Sequence, residues 1–175
     1  MKYQNIFALV ITIVVTGSIT FASNSFAGNS IHKARDDKHN IYLSDGSVTG
    51  GEITDGRNIY SIRWGKHSTF ERIVFDIHEG VYGEDYGPTD VPCHFEIRYE
   101  PSRLKFEVEF NGARDASATI PELTRSRLIR YIDSKNLQDD SAIGYIIKLK
   151  RAVKFEVFEL HNPARVVIDV TMLYK

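Results

Sequence analysis

The chain has 175 residues and a nearly balanced charge, with 22 Lys and Arg against 23 Asp and Glu. A surface for nucleic acid or anionic lipid needs a basic excess or a basic stripe, and this sequence has neither, which argues against both partner classes. Cys93 is the single cysteine, so the chain cannot close a disulfide on itself, and we expect the thiol to be buried.

Residues 1–27 have the pattern of a secretory signal peptide. Lys2 provides a positive start, Ile6 to Val15 is an apolar stretch, and Ser25-Phe26-Ala27 places small residues before a cleavage site. The apolar stretch is short against the roughly 20 residues that span a bilayer, so we expect cleavage rather than a retained anchor. The sequence therefore predicts export to the periplasm or cell envelope, or secretion, with no membrane span after cleavage.

Residues 28–57 are polar and contain the turn-forming pairs Asp45-Gly46, Gly50-Gly51 and Asp55-Gly56. Few apolar residues interrupt this segment, so it is predicted to be a mobile leader that docks one short strand at most. Its cluster of cationic residues is diluted by two aspartates, which is typical of a solvated tail.

Residues 58–175 alternate between apolar and polar side chains, as half-buried strands do. One helical turn is expected at Thr119 and Pro121, because proline suits the first helical position. We predict a single all-β domain, an antiparallel β-sandwich of about eight strands in two similar halves with at most short helices. The predicted strands are 59–64, 72–78, 94–100, 103–110, 128–133, 143–150, 153–160 and 165–172.

A six-residue phrase occurs twice, as Arg72 to Ile77 and as Arg165 to Val170, each time in the second strand of a hairpin. If the copies lie antiparallel side by side, one register sets Arg72 against Asp169 and Asp76 against Arg165. Alternatively, the copies occupy equivalent places in two sheets and present Arg and Asp to a ligand. We expect the second arrangement, because similar halves need not pair through the same strand.

The runs His67 to Asp76 and Phe155 to Val170 resemble the AMIN and AMIN-like domains of exported bacterial proteins. The second run is the more specific, with Leu160, then Asn162-Pro163, then Arg165 and a hydrophobic strand that ends in Asp169-Val170. The first run is similar to the His, Phe, acidic, Arg opening of the AMIN-like branch. The resemblance extends over about 59–171, although its centre matches only as a strand pattern.

This resemblance implies a β-sandwich with a non-catalytic binding or targeting role at the cell envelope, and peptidoglycan, another envelope glycan or an envelope protein as the partner. Related domains usually share a chain with a catalytic or secretin partner, which does not follow Val170 here. The candidate ligand-binding residues are Tyr60, Trp64, His67, Arg72, Asp76, Tyr82, Tyr86, Arg165 and Asp169.

Aromatic residues allow two interpretations. Alternation places Tyr60, Ile62 and Trp64 on one face of a strand, where they could form a stacking platform for a sugar ring or fill the core. Core filling is favoured. Tyr82 and Tyr86 lie in a glycine-rich connection, which is either a binding loop or a plain flexible loop.

No catalytic motif is found, and no cofactor or metal is implied. The alternative function is a small exported hydrolase of envelope polysaccharide, for which Glu96, Glu107 and Glu109 would supply the carboxylates. Alternation, however, places these three residues on a solvated face. Cys93 and His94 point to opposite faces of a strand, so they form no nucleophile and base pair. His94 and Glu96 share a face, yet two donors make a weak metal site. The oligomeric state stays open.

Overall fold

The computed structural model describes residues 30–137 and 141–173, and the predicted signal peptide lies outside these residues. The described part contains twelve strands and one 3₁₀ turn, Pro101–Arg103. No helix within these two ranges is long and apolar enough to cross a membrane. The strands are β1 Ile31–Lys33, β2 Gly46–Gly50, β3 Arg57–Lys66, β4 Glu71–Glu79, β5 Gly87–Pro88, β6 Phe95–Glu100, β7 Lys105–Asn111, β8 Ala113–Asp115, β9 Ile129–Lys135, β10 Ala142–Leu149, β11 Val153–Leu160 and β12 Arg165–Met172.

Two sheets pack as a sandwich. Sheet A has the order β1-β2-β6-β7-β10-β9, and sheet B has the order β11-β12-β4-β3-β8, with β5 paired to the end of β4. Most neighbours are antiparallel, whereas β1 with β2 and β3 with β8 run parallel. The predicted all-β sandwich is confirmed. Four strands beyond the expected eight, β1, β2, β5 and β8, are too short for alternation to reveal them.

Alternate residues of each strand fill the space between the sheets. Ile73, Phe75 and Ile77 of β4 are fully buried there, while the residues between them face away from sheet A. The Phe75 ring packs against those of Phe110 and Tyr145, with centroid distances of 5.1 Å and 5.5 Å. Full burial of each such side chain stabilises the fold by about 1.5–3 kcal/mol. Because Phe75 belongs to sheet B and its two partners belong to sheet A, these contacts hold the two sheets together.

The predicted helical turn at Thr119 and Pro121 is wrong. The backbone N–H of Ala118 donates to the carbonyl of Ile59 at 3.0 Å, and Asn58 binds Ser117, so this segment is tied in extended form along β3. Tertiary hydrogen bonds therefore override the local preference of proline for a helix start.

The two copies of the repeated phrase are β4 and β12, which lie side by side in sheet B. Their register sets Asp169 opposite Arg72, Val167 opposite Val74 and Arg165 opposite Asp76. The expectation that the copies occupy different sheets is wrong. Hairpins β3-β4 and β11-β12 therefore meet through their second strands. This places β4 and β12 inside sheet B, each with a neighbouring strand on both sides.

The leader is part of the sandwich and docks two strands, β1 and β2, where one at most was expected. After β1 the chain crosses to sheet B, where Arg35 bridges Phe158 and Leu43 bridges Phe155 of β11. Residues 34–43, which we call the strap, thus run along the edge of sheet B. An edge strand offers unpaired N–H and C=O groups, and the strap satisfies part of them.

Candidate binding face

The side chains of sheet B that point away from sheet A form what we call the outer face. From β4 it receives Arg72, Val74, Asp76 and His78, and the neighbouring β12 contributes the residues opposite them. Four of the predicted site residues, Arg72, Asp76, Arg165 and Asp169, therefore share one face. They divide into two groups with different exposure.

The first group is built around Asp169, whose side chain is completely buried. Its carboxylate accepts hydrogen bonds from Arg72 Nε at 2.7 Å and Arg72 Nη2 at 2.8 Å, and a third from Lys38 Nζ of the strap at 2.5 Å. Hydrogen bonds to Asp169 raise the pKa of the Arg72 guanidinium. Partial burial disfavours the Lys38 ammonium ion, but Asp169 and Tyr42 outweigh that effect and raise its pKa.

Aromatic rings enclose these cations. Lys38 Nζ lies 3.5 Å from the centroid of the Phe70 ring, and the Arg72 guanidinium lies 5.2 Å from Phe70 and 5.3 Å from Phe158. Such cation–π contacts contribute on the order of 0.5–2 kcal/mol each. Asp169 is therefore enclosed beneath the strap and engaged by Arg72 and Lys38, and Arg72 keeps about a quarter of its side chain exposed.

Glu156 of β11 completes this buried group. Its Oε1 accepts the backbone N–H groups of His39 at 2.8 Å and Ile41 at 3.3 Å, so it holds the strap over the outer face. Its Oε2 accepts no hydrogen bond from the described residues. Sequence reasoning missed Lys38 and Glu156, because a polar segment that is predicted to be a mobile leader gives no sign that it covers a sheet.

The second group is exposed and centres on Tyr60. A β-bulge at Ile59–Ser61 inserts Tyr60 as an extra residue, which turns it to the outer face while Ile62 stays in the core. The Tyr60 ring lies flat on the His78 ring, with centroids 3.8 Å apart and planes inclined by 6°. Tyr60 is 44% exposed, so one face of this stacked pair is open to solvent.

Polar side chains border the stacked rings. Asp76 binds Arg63 through two hydrogen bonds, Nε to Oδ2 at 2.7 Å and Nη2 to Oδ1 at 2.6 Å, and also accepts from the Ser61 hydroxyl. Burial opposes the ionisation of Asp76, but the hydrogen bonds from Arg63 and Ser61 outweigh it and hold its pKa below the usual value. The Arg165 charge also lowers this pKa. We call Tyr60, Ser61, Arg63, Asp76 and His78 the Tyr60 platform.

The connection between β4 and β5 lies against the platform. Its Asp85 carboxylate is 2.8 Å from His78 Nδ1 and also accepts the N–H of Gly87, so the loop is fixed to the ring beneath Tyr60. Tyr82 and Tyr86 are 81% and 67% exposed. The structure thus brings Tyr60 and this loop together, as neighbours on one surface.

Trp64 and His67 lie away from the platform. Trp64 packs against the core, and its indole N–H donates to Glu71 at 3.3 Å, so the favoured core interpretation holds for Trp64 and fails for Tyr60. The alternation that placed these two residues on one face is broken by the bulge. His67 stacks on Phe70 with centroids 4.3 Å apart, at the far end of β4.

The residues considered for catalysis are engaged elsewhere. Cys93 is fully buried, and burial raises the pKa of its thiol to about 12, so it stays protonated. A hydrogen bond from Lys105, aided by Lys135, lowers the pKa of Glu107 to about 2. This carboxylate remains ionised near neutral pH and has no proton to donate as a general acid. Glu96 is paired with Arg98 at 2.9 Å.

No family model matches the chain, and neither a curated protein nor a solved structure is detectably similar to it. The resemblance to AMIN-like domains therefore stays a prediction, carried by the residues of β4, β11 and β12 alone.

Proposed function

We propose that this protein is an exported, non-catalytic binding module that recognises a glycan of the cell envelope, peptidoglycan foremost, through the Tyr60 platform. One observation carries the proposal: an aromatic ring held flat and half exposed, bordered by a paired arginine and aspartate.

A sugar ring presents an apolar C–H face and a rim of hydroxyl groups. The open face of Tyr60 suits the first, because an aromatic ring buries apolar surface without needing a polar partner on that face. The Arg63 and Asp76 groups suit the second, since one offers donors and the other acceptors to hydroxyl groups. The predicted export places the platform where envelope glycans lie.

The platform is rigid before any ligand arrives. His78 supports Tyr60 from below, Asp85 fixes His78, and two parallel hydrogen bonds fix Arg63 on Asp76. A preorganised surface loses little conformational entropy on binding. A flat face of this kind suits a polymer that lies across it, whereas a small free sugar would leave most of its surface in water.

The test is co-sedimentation of the purified full chain with insoluble, protease-treated peptidoglycan, with soluble fragments assayed in the same tube. Tyr60→Ala removes the ring, and covering a half-exposed tyrosine is worth about 1–1.5 kcal/mol, so retention should weaken roughly tenfold. Tyr131→Ala is the matched control, because Tyr131 is 46% exposed but belongs to sheet A.

Equal retention of Tyr60→Ala and the unaltered protein, with both folded by circular dichroism, would contradict the proposal. Release of soluble fragments would favour the alternative of a hydrolase. Binding that disappears when the peptidoglycan is protease-treated would favour an envelope protein as the partner.

A further inference from the structure

Three side chains that commonly bind metals converge beside the strap, from two regions that are far apart in the chain. They are Asp36 of the strap, Glu159 of β11 and His161 of the turn that follows β11. One donor atom from each lies within 4.8 Å of the other two. This group lies outside the Tyr60 platform and is not needed for the proposed function.

Glu159 is the buried member, with a side chain that is 8% exposed. Its Oε2 accepts the backbone N–H of Gly51 at 2.7 Å, which orients the carboxylate. Its Oε1 faces His161 Nε2 at 3.8 Å, beyond hydrogen-bond distance, and accepts no hydrogen bond from the described residues. A carboxylate on a buried side chain, with one oxygen directed at an imidazole nitrogen that it does not hydrogen-bond, is suited to a shared cation.

Backbone hydrogen bonds fix the elements that carry the three groups. The N–H of Glu159 donates to the carbonyl of Arg35 at 2.8 Å, which sets Asp36 beside β11. On the other side, the N–H of Asn162 donates to the carbonyl of Asp90 at 3.0 Å, which holds the turn that contains His161. Only the side chains of Asp36 and His161, both exposed, need to rotate to close on an ion.

We propose that Asp36, Glu159 and His161 bind one divalent first-row transition metal ion, Zn²⁺ above all. One imidazole and two carboxylates form a mixed nitrogen and oxygen set, which suits Zn²⁺ and its neighbours better than Mg²⁺ or Ca²⁺, whose ligands are mainly oxygen. Zinc bonds of about 2.0–2.2 Å bring two ligands to roughly 3–3.5 Å from each other, a modest contraction from the present arrangement. The Gly51 hydrogen bond acts as the outer-shell support that metal-bound carboxylates require.

The ion connects the strap to the β11-β12 hairpin. Without it, the two carboxylates repel each other at the place where the strap leaves β1. With it, their charges are neutralised and the strap is fixed to β11 at a further point, besides the bridges at Phe155 and Phe158 and the hydrogen bonds to Glu156. Metal binding therefore stabilises the strap against opening.

The first experiment is isothermal titration calorimetry of the metal-free full chain with ZnCl₂, and with MgCl₂ as comparison. We expect one Zn²⁺ per chain, with Mg²⁺ bound at least tenfold more weakly. Asp36→Ala and His161→Ala should each weaken Zn²⁺ binding at least tenfold. The matched controls are Asp37→Ala and His39→Ala, which alter an exposed Asp–His pair of the same strap and should leave binding unchanged.

A second readout does not depend on affinity. Trypsin cleavage within the strap, after Arg35 or Lys38, should slow at least fivefold when Zn²⁺ is present, and Zn²⁺ should give no protection in His161→Ala. The proposal is overturned if no equimolar binding is found at millimolar Zn²⁺, if the Asp37 and His39 controls weaken binding as much as the ligand variants, or if Zn²⁺ protects the strap of His161→Ala equally well.

Discussion

The buried Asp169 group provides a quantitative test of how sheet B is assembled. We consider Arg72→Met and Asp169→Asn, each alone and together. Arg72→Met keeps the apolar stem that lies between Phe70 and Phe158 and removes the charge and both hydrogen bonds. Asp169→Asn keeps the shape of the side chain and leaves Arg72 and Lys38 without their anion.

The expected magnitude follows from burial. Removing one partner of a buried ion pair destabilises a protein by about 3–5 kcal/mol, because the other charge is left uncompensated. For Asp169→Asn we expect that full range, since three donor atoms lose a charged acceptor that is completely buried. For Arg72→Met we expect about 2–3 kcal/mol, because Lys38 still pairs with Asp169. Both variants break the same contact, so the double variant should fall short of the sum by about 2 kcal/mol.

The measurement is urea unfolding of the four proteins, followed by tryptophan fluorescence and far-UV circular dichroism. The control cycle uses Arg114 and Asp55, which form a similar two-point pair on the surface, with Nε–Oδ1 at 2.5 Å and Nη2–Oδ2 at 2.8 Å. Solvent screens that pair, so its coupling should be close to zero. The usual error of additivity is about 0.5 kcal/mol. A coupling free energy between Arg72 and Asp169 below that value would refute the claim that their contact stabilises the pairing of β4 with β12.

Three further outcomes follow from the structure. Cys93, with its pKa raised to about 12 by burial, should react with a thiol reagent only as fast as the protein unfolds, so labelling that is fast under native conditions would contradict its place in the core. Lysine hydrogen bonds lower the pKa of Glu107 from 4.5 to about 2, so the contribution of Glu107 to stability is present above pH 4.5 and is lost as the pH falls towards 2. Glu107→Gln should therefore flatten the acid limb of the curve of unfolding free energy against pH. Glu109→Gln, on the same face, is the control and should leave that limb unchanged. Gly112→Ala should destabilise the fold by more than about 2 kcal/mol, because an added Cβ would come within 1.8 Å of a backbone oxygen, whereas Gly83→Ala, also at positive φ but in open space, should cost less.

Most of the fold could be predicted because the sequence of each long strand places apolar residues on one face. The eight strands longer than five residues each place an apolar set on the core side. The bounds of the four short strands could not be found, since two to five residues are too few to show a measurable alternation. The repeated phrase is compatible with two arrangements, adjacent strands of one sheet or equivalent strands of two sheets. Only the tertiary pairing of β4 with β12 distinguishes them.

The structure places some candidate residues differently from the sequence-based expectation, and each difference has a physical cause. Tyr60 was placed on the core side because alternation assumes an unbroken register, and a one-residue bulge reverses the face of everything on one side of it. The equivalent-sheet arrangement would present Arg72 and Asp169 to a ligand, whereas the observed pairing of β4 with β12 sets the two residues against each other and buries Asp169. His78 and Arg63, which support and border Tyr60, carry no local signal for that role.

Residues 38–51 explain how sheet B accommodates buried acidic side chains. Asp169, Glu156 and Glu159 are all at least nine-tenths buried, and each accepts a hydrogen bond from a residue within 38–51 of the segment predicted to be a mobile leader. An uncompensated buried carboxylate costs several kcal/mol, so the sandwich and this segment must fold together. Removing residues 30–43 should therefore take the strap's hydrogen bonds from Asp169 and Glu156 and expose the β11 edge at once, and the remaining chain should be unfolded or aggregate. A truncated protein that keeps the full urea midpoint would show that the strap only covers sheet B and does not stabilise it.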